Sequence, residues 1–296
     1  MTPPVTVGLA TYRRPQVEET LRSLDALKEV RAARIIVADN DETPSARERI
    51  VQLGAELRTP LEYLHAPARN IAIARNAVIE AAGGGLLAFI DDDETAAPDW
   101  LEKLTGAWSP GIAAVMGPMK ALYPEMAPDW MKILSPHSQI PPVTDGVPQE
   151  GHTANCLIDL DHDVMGPLRF DPAFGRKGGS DSVYFSAAAR RGARFAYADE
   201  AVVFEPVTEG RMSRGWLLRR RWRFGLTIAA TSRRSAPVLF GLSLAKVLYC
   251  AGLAVLNIPS PAGFHRALLR GTMHLGVAAG ALGTPMGEWY GKSDPD

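Results

Sequence analysis

The sequence has few cysteines, almost no net charge and none of the glycine motifs that mark the common nucleotide-binding loops. Cys156 and Cys250 belong to no paired motif, which excludes a disulfide framework and fits a reducing compartment. A net charge of -1 argues against a general nucleic-acid binder. The absence of G-x-G-x-x-G disfavours a dinucleotide fold of the dehydrogenase type, and the absence of G-x-x-x-x-G-K-[ST] excludes a P-loop protein.

The first ninety residues alternate between short apolar runs and stretches with helical periodicity. Val17, Leu21 and Leu24 recur at helical spacing behind Pro15, which suits the first turn of a helix. The predicted strands are residues 5–10, 34–38, 61–64 and 86–90, with a helix predicted after each of the first three. Strands that alternate with helices predict an α/β fold with a mostly parallel central sheet and flanking helices.

The second half of the chain is less regular. Its predicted strands are residues 113–117, 153–160, 195–197 and 201–204, and its first predicted helix is residues 182–191. A proline-rich stretch, residues 118–148, is expected to lack regular structure. Long loops of this kind in compact domains often act as lids or binding loops.

The most informative stretch begins at residue 86 as an apolar run and ends in four consecutive acids, Asp91, Asp92, Asp93 and Glu94. Four adjacent carboxylates repel one another and cannot be buried without a partner. They suit a hard divalent cation that also holds phosphate oxygens. A solvated acidic turn before the next helix is the alternative interpretation.

Polar side chains also follow the first two predicted strands, at Thr11 and Asp39. The carboxyl ends of parallel strands meet at one edge of a sheet, where α/β proteins bind their ligands. Three strand ends therefore bring polar groups to the same edge, which predicts a ligand site there.

Seven segments, taken in chain order, resemble the motifs of one enzyme family. They are V-G-L-A-T-Y-R-R-P (7–15), I-V-A-D-N (36–40), R-N-I-A-I-A-R-N (69–76), D-D-D (91–93), G-H-T-A-N (151–155), G-S-D (179–181) and R-R-R-W-R-F-G (219–225). Over roughly residues 5–225 the pattern resembles inverting family 2 glycosyltransferases, and it looks most like the ExoM-like transferases of bacterial exopolysaccharide assembly. The resemblance implies the GT-A nucleotide-sugar-binding fold and a hexosyltransferase activity.

The resemblance implies that the acidic strand end holds a donor pocket and a metal site, with residues 91–93 as the D-x-D motif. If the backbone there stays extended, successive side chains alternate in direction. We assign Asp93 to a Mg2+ or Mn2+ ion, Asp91 to the ion or the ribose, and Asp92 to a water-mediated or structural contact. Glu205 is a further candidate metal ligand. The candidate donor-binding residues are Thr11, Arg13, Asp39, Arg75, Asn76, Asp91 and Asp92.

Inverting transfer also needs a base close to the acceptor hydroxyl. By motif position the candidate is Asp181, although a residue there can equally cap the helix that follows. The resemblance implies acceptor-side roles for Asn155 and Trp222, and core packing is the alternative for Trp222.

A basic run and two apolar segments follow the motifs. Arg219, Arg221 and Arg223 are expected to contact a diphosphate or anionic lipid. Residues 236–258 are almost entirely apolar and about long enough to cross a bilayer, and residues 267–283 form a second apolar segment with a G-x-x-x-G spacing. We expect a C-terminal helical hairpin embedded shallowly in the membrane; a buried soluble hairpin and a spanning helix are the alternatives. The predicted domains are therefore residues 1–225, catalytic, and residues 226–296, membrane-associating.

The sequence as a whole predicts a metal-dependent inverting glycosyltransferase at the cytoplasmic face of the inner membrane. We expect it to move a sugar from a nucleotide sugar, with UDP-glucose as the leading donor, to a lipid-linked saccharide acceptor, and to have no nucleic-acid partner. One alternative is a nucleotidyltransferase of sugar phosphates, which also uses strand-end acids and a metal. The other is a non-catalytic, membrane-peripheral saccharide-binding protein on a degenerate transferase fold, although the intact Asp91, Asp93 and Asp181 speak against it.

Overall fold

The computed structural model describes residues 3–291. The chain divides into two compact units. The first consists of Met1–Ala121, Ser138–Arg176 and Ser180–Pro206, and the second of Leu122–His137, Lys177–Gly179 and Val207–Asp296. The predicted division into domains at residue 225 stays a prediction.

Strands and helices alternate along much of the chain. The strands are β1 (Val5–Thr11), β2 (Arg34–Asp39), β3 (Leu61–His65), β4 (Leu86–Ile90), β5 (Thr95–Ala96), β6 (Ala114–Met116), β7 (Met119–Leu122), β8 (Val143–Thr144), β9 (Val147–Pro148), β10 (Asn155–Asp159), β11 (Phe195–Tyr197) and β12 (Val203–Pro206). The helices are α1 (Val17–Asp25), α2 (Arg47–Gly54), α3 (Ile71–Ala82), α4 (Trp100–Gly106), α5 (Asp129–Leu134), α6 (Ser180–Arg190), α7 (Arg214–Thr231), α8 (Ala236–Leu256) and α9 (Pro261–Ala281).

The central sheet lies in the first unit and has the order β11-β6-β10-β4-β1-β2-β3. β1 pairs in parallel with both β2 and β4, and β2 pairs in parallel with β3. β10 runs antiparallel between β4 and β6. This confirms the predicted α/β fold with a mostly parallel sheet, and it brings the ends of β1, β2 and β4 to the same edge.

The parallel strands are buried on both faces, as expected when helices cover both sides of a sheet. In β4, Leu86, Ala88 and Ile90 pack into an apolar cluster with α1, α2 and α4. Leu87 and Phe89 point the other way, into a cluster with α3 and α6. The sheet is thus a rigid support for the loops at its edge.

The second unit is helical. Met131 of α5, Leu217 of α7 and Leu269 of α9 share a small apolar core. Gly276 of α9 lies so close to α7 that a Cβ there would come within 3.2 Å of the Cα of Gly225. The predicted small-residue spacing in the last segment therefore permits close helix packing.

α8 and α9 form the predicted helical hairpin. Within residues 3–291, α8 is the one helix long and apolar enough to cross a membrane by length and composition, and 17% of that stretch is buried. Its exposed residues include Leu248, Tyr249, Val255 and Leu256. α8 therefore exposes much of its apolar surface, and the shallow embedding of the hairpin in the membrane stays a prediction.

The expectation that residues 118–148 lack regular structure is wrong. They contain β7, α5 and the two-stranded β8-β9 hairpin. Pro128 directly precedes α5, a position where the fixed φ of proline favours a helix start rather than a break. Asp145 and Gly146 both have positive φ, 51° and 77°, which is the geometry of an Asp-Gly hairpin turn.

Candidate active site

The acids after β4 form a tight turn at the sheet edge. The amide of Glu94 donates to the carbonyl of Asp91 at 3.3 Å, and the amide of Asp91 donates to Oε2 of Glu94 at 2.9 Å. Burial, together with the charge of Asp91, raises the pKa of Glu94 well above its ordinary value. Because the backbone turns here, the side chains do not alternate as they would in an extended segment: Asp91 contacts Arg75, whereas Asp92 and Asp93 both contact Arg14.

The loop after β1 contacts two of these aspartates. Oγ1 of the buried Thr11 donates to Oδ2 of Asp92 at 2.8 Å. Nη1 of Arg14 lies 3.5 Å from Oδ1 of Asp92 and forms a closer ion pair with Oδ2 of Asp93. Burial raises the pKa of Asp92 to about 7, against the opposing charge of Arg14. The charge of Arg14 and the hydrogen bond from Thr11 therefore offset only part of this rise in pKa.

Arg75 joins the acidic turn to the start of α6. Its Nη1 donates to Oγ of Ser180 at 3.1 Å, and its Nη2 lies 3.4 Å from Oδ1 of Asp91. Arg75 is 8% exposed, so it does not lie on a solvated helix face. The neighbouring Asp181 is in the first turn of α6, where its Oδ1 accepts from the amide of Ser182 at 2.8 Å.

Asp181 also influences the acidic turn electrostatically. Burial raises the pKa of Asp91, Arg75 opposes that rise, and the charge of Asp181 adds to it. Burial and the charge of Asp181 likewise raise the pKa of Glu150. The candidate base and the candidate metal ligands therefore share one acidic region of the first unit.

The aspartates at the end of β2 and just after it form a second set of hydrogen bonds. Asp39 is fully buried and accepts from the amides of Asp41 and Ala46 and from the hydroxyl of Tyr63, at 3.1, 3.0 and 2.8 Å. Arg13 donates from Nε and Nη2 to the two carboxylate oxygens of Asp41, at 2.9 and 2.8 Å. This pairing holds the pKa of Asp41 at about 2, below its usual range.

The comparisons with known proteins decide the family. The family model described as glycosyl transferase family 2 matches residues 6–158. The chain belongs to glycosyl transferase family 2. It is 41% identical to the succinoglycan biosynthesis protein ExoM of Rhizobium meliloti (strain 1021) over 298 aligned residues, 98% of this chain and 96% of that protein.

Solved structures agree on the fold of this family 2 glycosyltransferase. The mannosyltransferase PcManGT from Pyrobaculum calidifontis, in complex with GDP-Man and Mn2+, has a TM-score of 0.55 at 20% identity, covering 96% of this chain and 77% of that one. GalNAc-T7 with UDP, GalNAc and Mn2+ has a TM-score of 0.53 at 12% identity, covering 76% of this chain and 47% of that one. The predicted GT-A fold, the enzyme class and the resemblance to ExoM are confirmed.

The donor set of the acidic turn fits a divalent cation in a family 2 glycosyltransferase. Its groups are carboxylate oxygens, which hard cations prefer. Burial is the main cause of the raised pKa of Asp91, Asp92 and Glu94, and neighbouring carboxylates add to it, so a bound cation would favour their charged forms. Within residues 3–291, no three His, Cys, Asp or Glu side chains form a complete metal site by themselves. A cation held by one or two carboxylates plus the phosphates of a substrate needs no such third ligand. Glu205 lies close enough to the acidic turn for its charge to raise the pKa of both Arg14 and Glu94.

Two predicted ligand-binding residues make structural hydrogen bonds. Asn155 is fully buried, with Oδ1 accepting from Nε1 of Trp100 at 2.8 Å and Nδ2 donating to the carbonyls of Pro118 and Ala201. Asn76 exchanges two hydrogen bonds with the backbone of Phe170, at 2.9 and 2.8 Å. Their roles toward donor and acceptor stay predictions, and both side chains fix the position of neighbouring segments.

The remaining predicted residues lie on α7 in the second unit. Arg219 is exposed and Trp222 half-buried. Nη2 of Arg221 donates to the carbonyl of Pro136 at 3.2 Å, and the guanidinium of Arg223 lies 4.8 Å from the ring centre of Trp289. Arg221 and Arg223 thus have partners within their own unit, and their roles toward diphosphate, lipid or acceptor stay predictions.

Sequence reasoning missed the pairing of Arg14 with Asp93 and of Asp41 with Arg13. Arg14 is adjacent to the predicted Arg13, and Asp41 lies two residues after the predicted Asp39, so position alone was available as a signal. Arg13 has φ 55°, a left-handed conformation that is uncommon in residues other than glycine. The two successive arginines of this turn contact different acids: Arg13 pairs with Asp41, and Arg14 with the acidic turn.

Proposed function

We propose that this enzyme is a metal-dependent inverting glycosyltransferase that moves a sugar from a nucleotide sugar to a lipid-linked saccharide at the cytoplasmic face of the inner membrane. UDP-glucose is the first donor to test. The likeness to a succinoglycan biosynthesis protein supports a role in exopolysaccharide synthesis. The Mn2+ and nucleotide-sugar ligands named for the structural neighbours support a divalent cation and a nucleotide-sugar donor.

The observation that carries the proposal is the bridge made by Arg75. One guanidinium contacts Asp91, a candidate donor or metal ligand, and Ser180, which directly precedes the candidate base. Transfer needs the donor and the acceptor hydroxyl to be held within reacting distance of each other. A buried arginine that connects the two ends supports a single reaction centre.

The chemistry assigns a role to each group. A bound Mg2+ or Mn2+, held by Asp93 with Asp91 or Glu205, would stabilise the charge that develops on the departing nucleoside diphosphate. Asp181 accepts the proton of the acceptor hydroxyl as that oxygen forms a bond to the anomeric carbon on the face opposite the departing phosphate. Thr11, Arg13, Asp39 and Asn76 shape the donor side, and Asp92 is held by Thr11.

The metal assignment predicts the behaviour of Asp93→Ala. This variant should lose transfer and bind UDP with Mn2+ at least about tenfold more weakly, because a charge-bearing ligand of the cation is removed. Calorimetry of UDP binding with and without Mn2+ measures the change. Asp99→Ala is the control, because it removes a carboxylate just before α4 and leaves the acidic turn intact.

Product analysis separates the proposal from its alternatives. Incubation of the enzyme with UDP-glucose and a membrane extract that supplies the acceptor should yield UDP and a glycosylated lipid. Release of pyrophosphate on incubation of a nucleoside triphosphate with a sugar phosphate would instead identify a nucleotidyltransferase. Binding of saccharide without turnover of any nucleotide sugar would identify a non-catalytic protein, and UDP binding that Mn2+ leaves unchanged in the intact enzyme would remove the metal from the proposal.

A further inference from the structure

Arg14 occupies the position among the acids where a cation is needed. We infer that Arg14 is an internal counter-cation that pairs with Asp93 in the free enzyme and leaves it when metal and nucleoside diphosphate bind together. This inference rests on the proposed metal-binding role of Asp93. It makes Arg14 a positioning residue that couples binding of the metal to binding of the nucleoside diphosphate.

The charge balance of the site motivates this role. The acidic groups near Arg14 are Asp91, Asp92 and Asp93 of the turn and Glu205 of β12, and the turn also contains the buried Glu94. Partial burial lowers the pKa of Arg14, but Asp92 and Asp93 outweigh this effect and raise its pKa overall. In the free enzyme, Arg14 therefore stabilises carboxylates that would otherwise repel one another.

The two arginines of the β1 loop differ in how they are held. Arg13 makes a two-pronged contact with the carboxylate of Asp41, which fixes the loop against the end of β2. The side chain of Arg14 is 37% exposed and reaches the acids only with its terminal guanidinium. Rotation about its side-chain bonds can therefore withdraw the charge without moving the loop.

This arrangement predicts coupled binding. A divalent cation that binds without a nucleotide must displace the guanidinium of Arg14 from Asp93. This displacement weakens binding of the cation alone. A nucleoside diphosphate offers Arg14 new anionic partners, because guanidinium groups bind phosphate oxygens well. Mn2+ and UDP should therefore each strengthen binding of the other, by the same factor.

Mn2+ titrations followed by electron paramagnetic resonance, with and without UDP, test the inference on the full chain. Arg14→Gln should bind Mn2+ alone about tenfold or more tightly than the intact enzyme. A nearby positive charge typically weakens the affinity of a carboxylate for a proton by about 1–3 pKa units, and we expect a similar effect on its affinity for Mn2+. It should also show a smaller enhancement of Mn2+ binding by UDP. Arg14→Lys keeps the charge and should resemble the intact enzyme.

Arg22→Gln is the control, since Arg22 of α1 pairs with Glu56 and not with the acidic turn, and the affinity of this variant for Mn2+ alone should not change. Unchanged or weaker binding of Mn2+ alone by a folded Arg14→Gln would overturn the inference. If the intact enzyme binds Mn2+ with UDP while Arg14→Gln behaves identically, only the role of Arg14 fails. If the intact enzyme binds no Mn2+ even with UDP, the proposed function itself fails.

Discussion

At the residue scale, the site is built from side chains that satisfy structural and chemical demands together. Arg75 is buried between two segments, and its guanidinium meets a carboxylate at one end and a hydroxyl at the other. Asp39 accepts three hydrogen bonds from the protein, which leaves little of its carboxylate for a ligand. Asp181 differs from both, because its hydrogen bond with the amide of Ser182 engages one carboxylate oxygen and leaves the other for chemistry.

Asp181→Asn tests the candidate base. Asparagine keeps the shape of the side chain and can still accept from the amide of Ser182, but it cannot take up the proton of the acceptor. We expect turnover to fall by about 10²–10⁴-fold, with UDP binding nearly unchanged. Initial rates with saturating donor, together with calorimetry, measure the two effects. Turnover close to that of the intact enzyme, in a variant with a native circular dichroism spectrum, would assign the base to another residue.

Single residues were predictable from the sequence where they belong to a local motif, and unpredictable where they depend on pairing across the fold. The acids after β4 follow an apolar run directly, so their position at a strand end could be read from the sequence. The pairing of Arg14 with Asp93 joins residues 79 positions apart and depends on β1 and β4 being neighbours. For Asn155, the sequence does not reveal that its amide meets Trp100 and two carbonyls.

At the element scale, the site depends on how closely α3 approaches the sheet. Gly8 in β1 faces α3, and a Cβ there would overlap Cγ1 of Val78. Valine has a single side-chain torsion and cannot fold out of the way. The same helix carries Arg75 and Asn76, so the missing side chain at Gly8 helps to set the position of both residues.

Gly8→Ala should therefore destabilise the protein and disturb the site. We expect a loss of about 1–3 kcal/mol in the free energy of unfolding, typical of overpacking in a close-packed core, and weaker UDP binding as α3 is displaced. Urea unfolding and calorimetry measure these effects. Gly106→Ala, at the end of α4 where a Cβ meets nothing within 4 Å, is the control. Adding Val78→Ala should recover part of the loss, and strictly additive effects of the two substitutions would contradict the direct clash.

Elements were predictable where the periodicity of the sequence is long and regular. The parallel strands and α3 contain apolar positions at the expected spacing, so their existence followed from the sequence, whereas the order of the strands in the sheet did not. α5 has only six residues and follows a proline, so it was too short for its periodicity to register. The β8-β9 hairpin has two residues in each strand, and the Asp-Gly pair at its turn was the one available signal.

At the scale of the whole molecule, charge and apolar surface are distributed unevenly although the net charge is -1. Arg233 and Arg234 lie just before α8 and are exposed. The outer surface of α8 exposes Leu248, Val255 and Leu256, which are 66%, 66% and 77% exposed. The arginines precede the first turn of α8, and the exposed apolar side chains lie in its C-terminal half. A basic segment followed by an exposed apolar helix is typical of a chain that binds an anionic membrane.

The whole-molecule prediction is that the enzyme binds membranes through two separable contributions. Arginine attraction to anionic lipid, worth about 1 kcal/mol per residue, is weakened by salt, whereas burial of apolar side chains is not. Replacing Leu248, Val255 and Leu256 with Asn should remove the salt-resistant part of binding, because about 25 cal/mol is lost for each Å² of apolar surface no longer buried in lipid. Arg233→Gln with Arg234→Gln should remove the salt-sensitive part instead.

Co-sedimentation with vesicles of anionic or neutral lipid, at low and high salt, separates these contributions for the intact enzyme and both variants. UDP binding should be unchanged in each variant, because the substituted residues lie in the second unit and the acidic turn lies in the first. The intact enzyme should sediment with anionic vesicles at low salt and be released only partly at high salt. If it stays in the supernatant with every vesicle type at low salt, α8 is not a membrane-binding element.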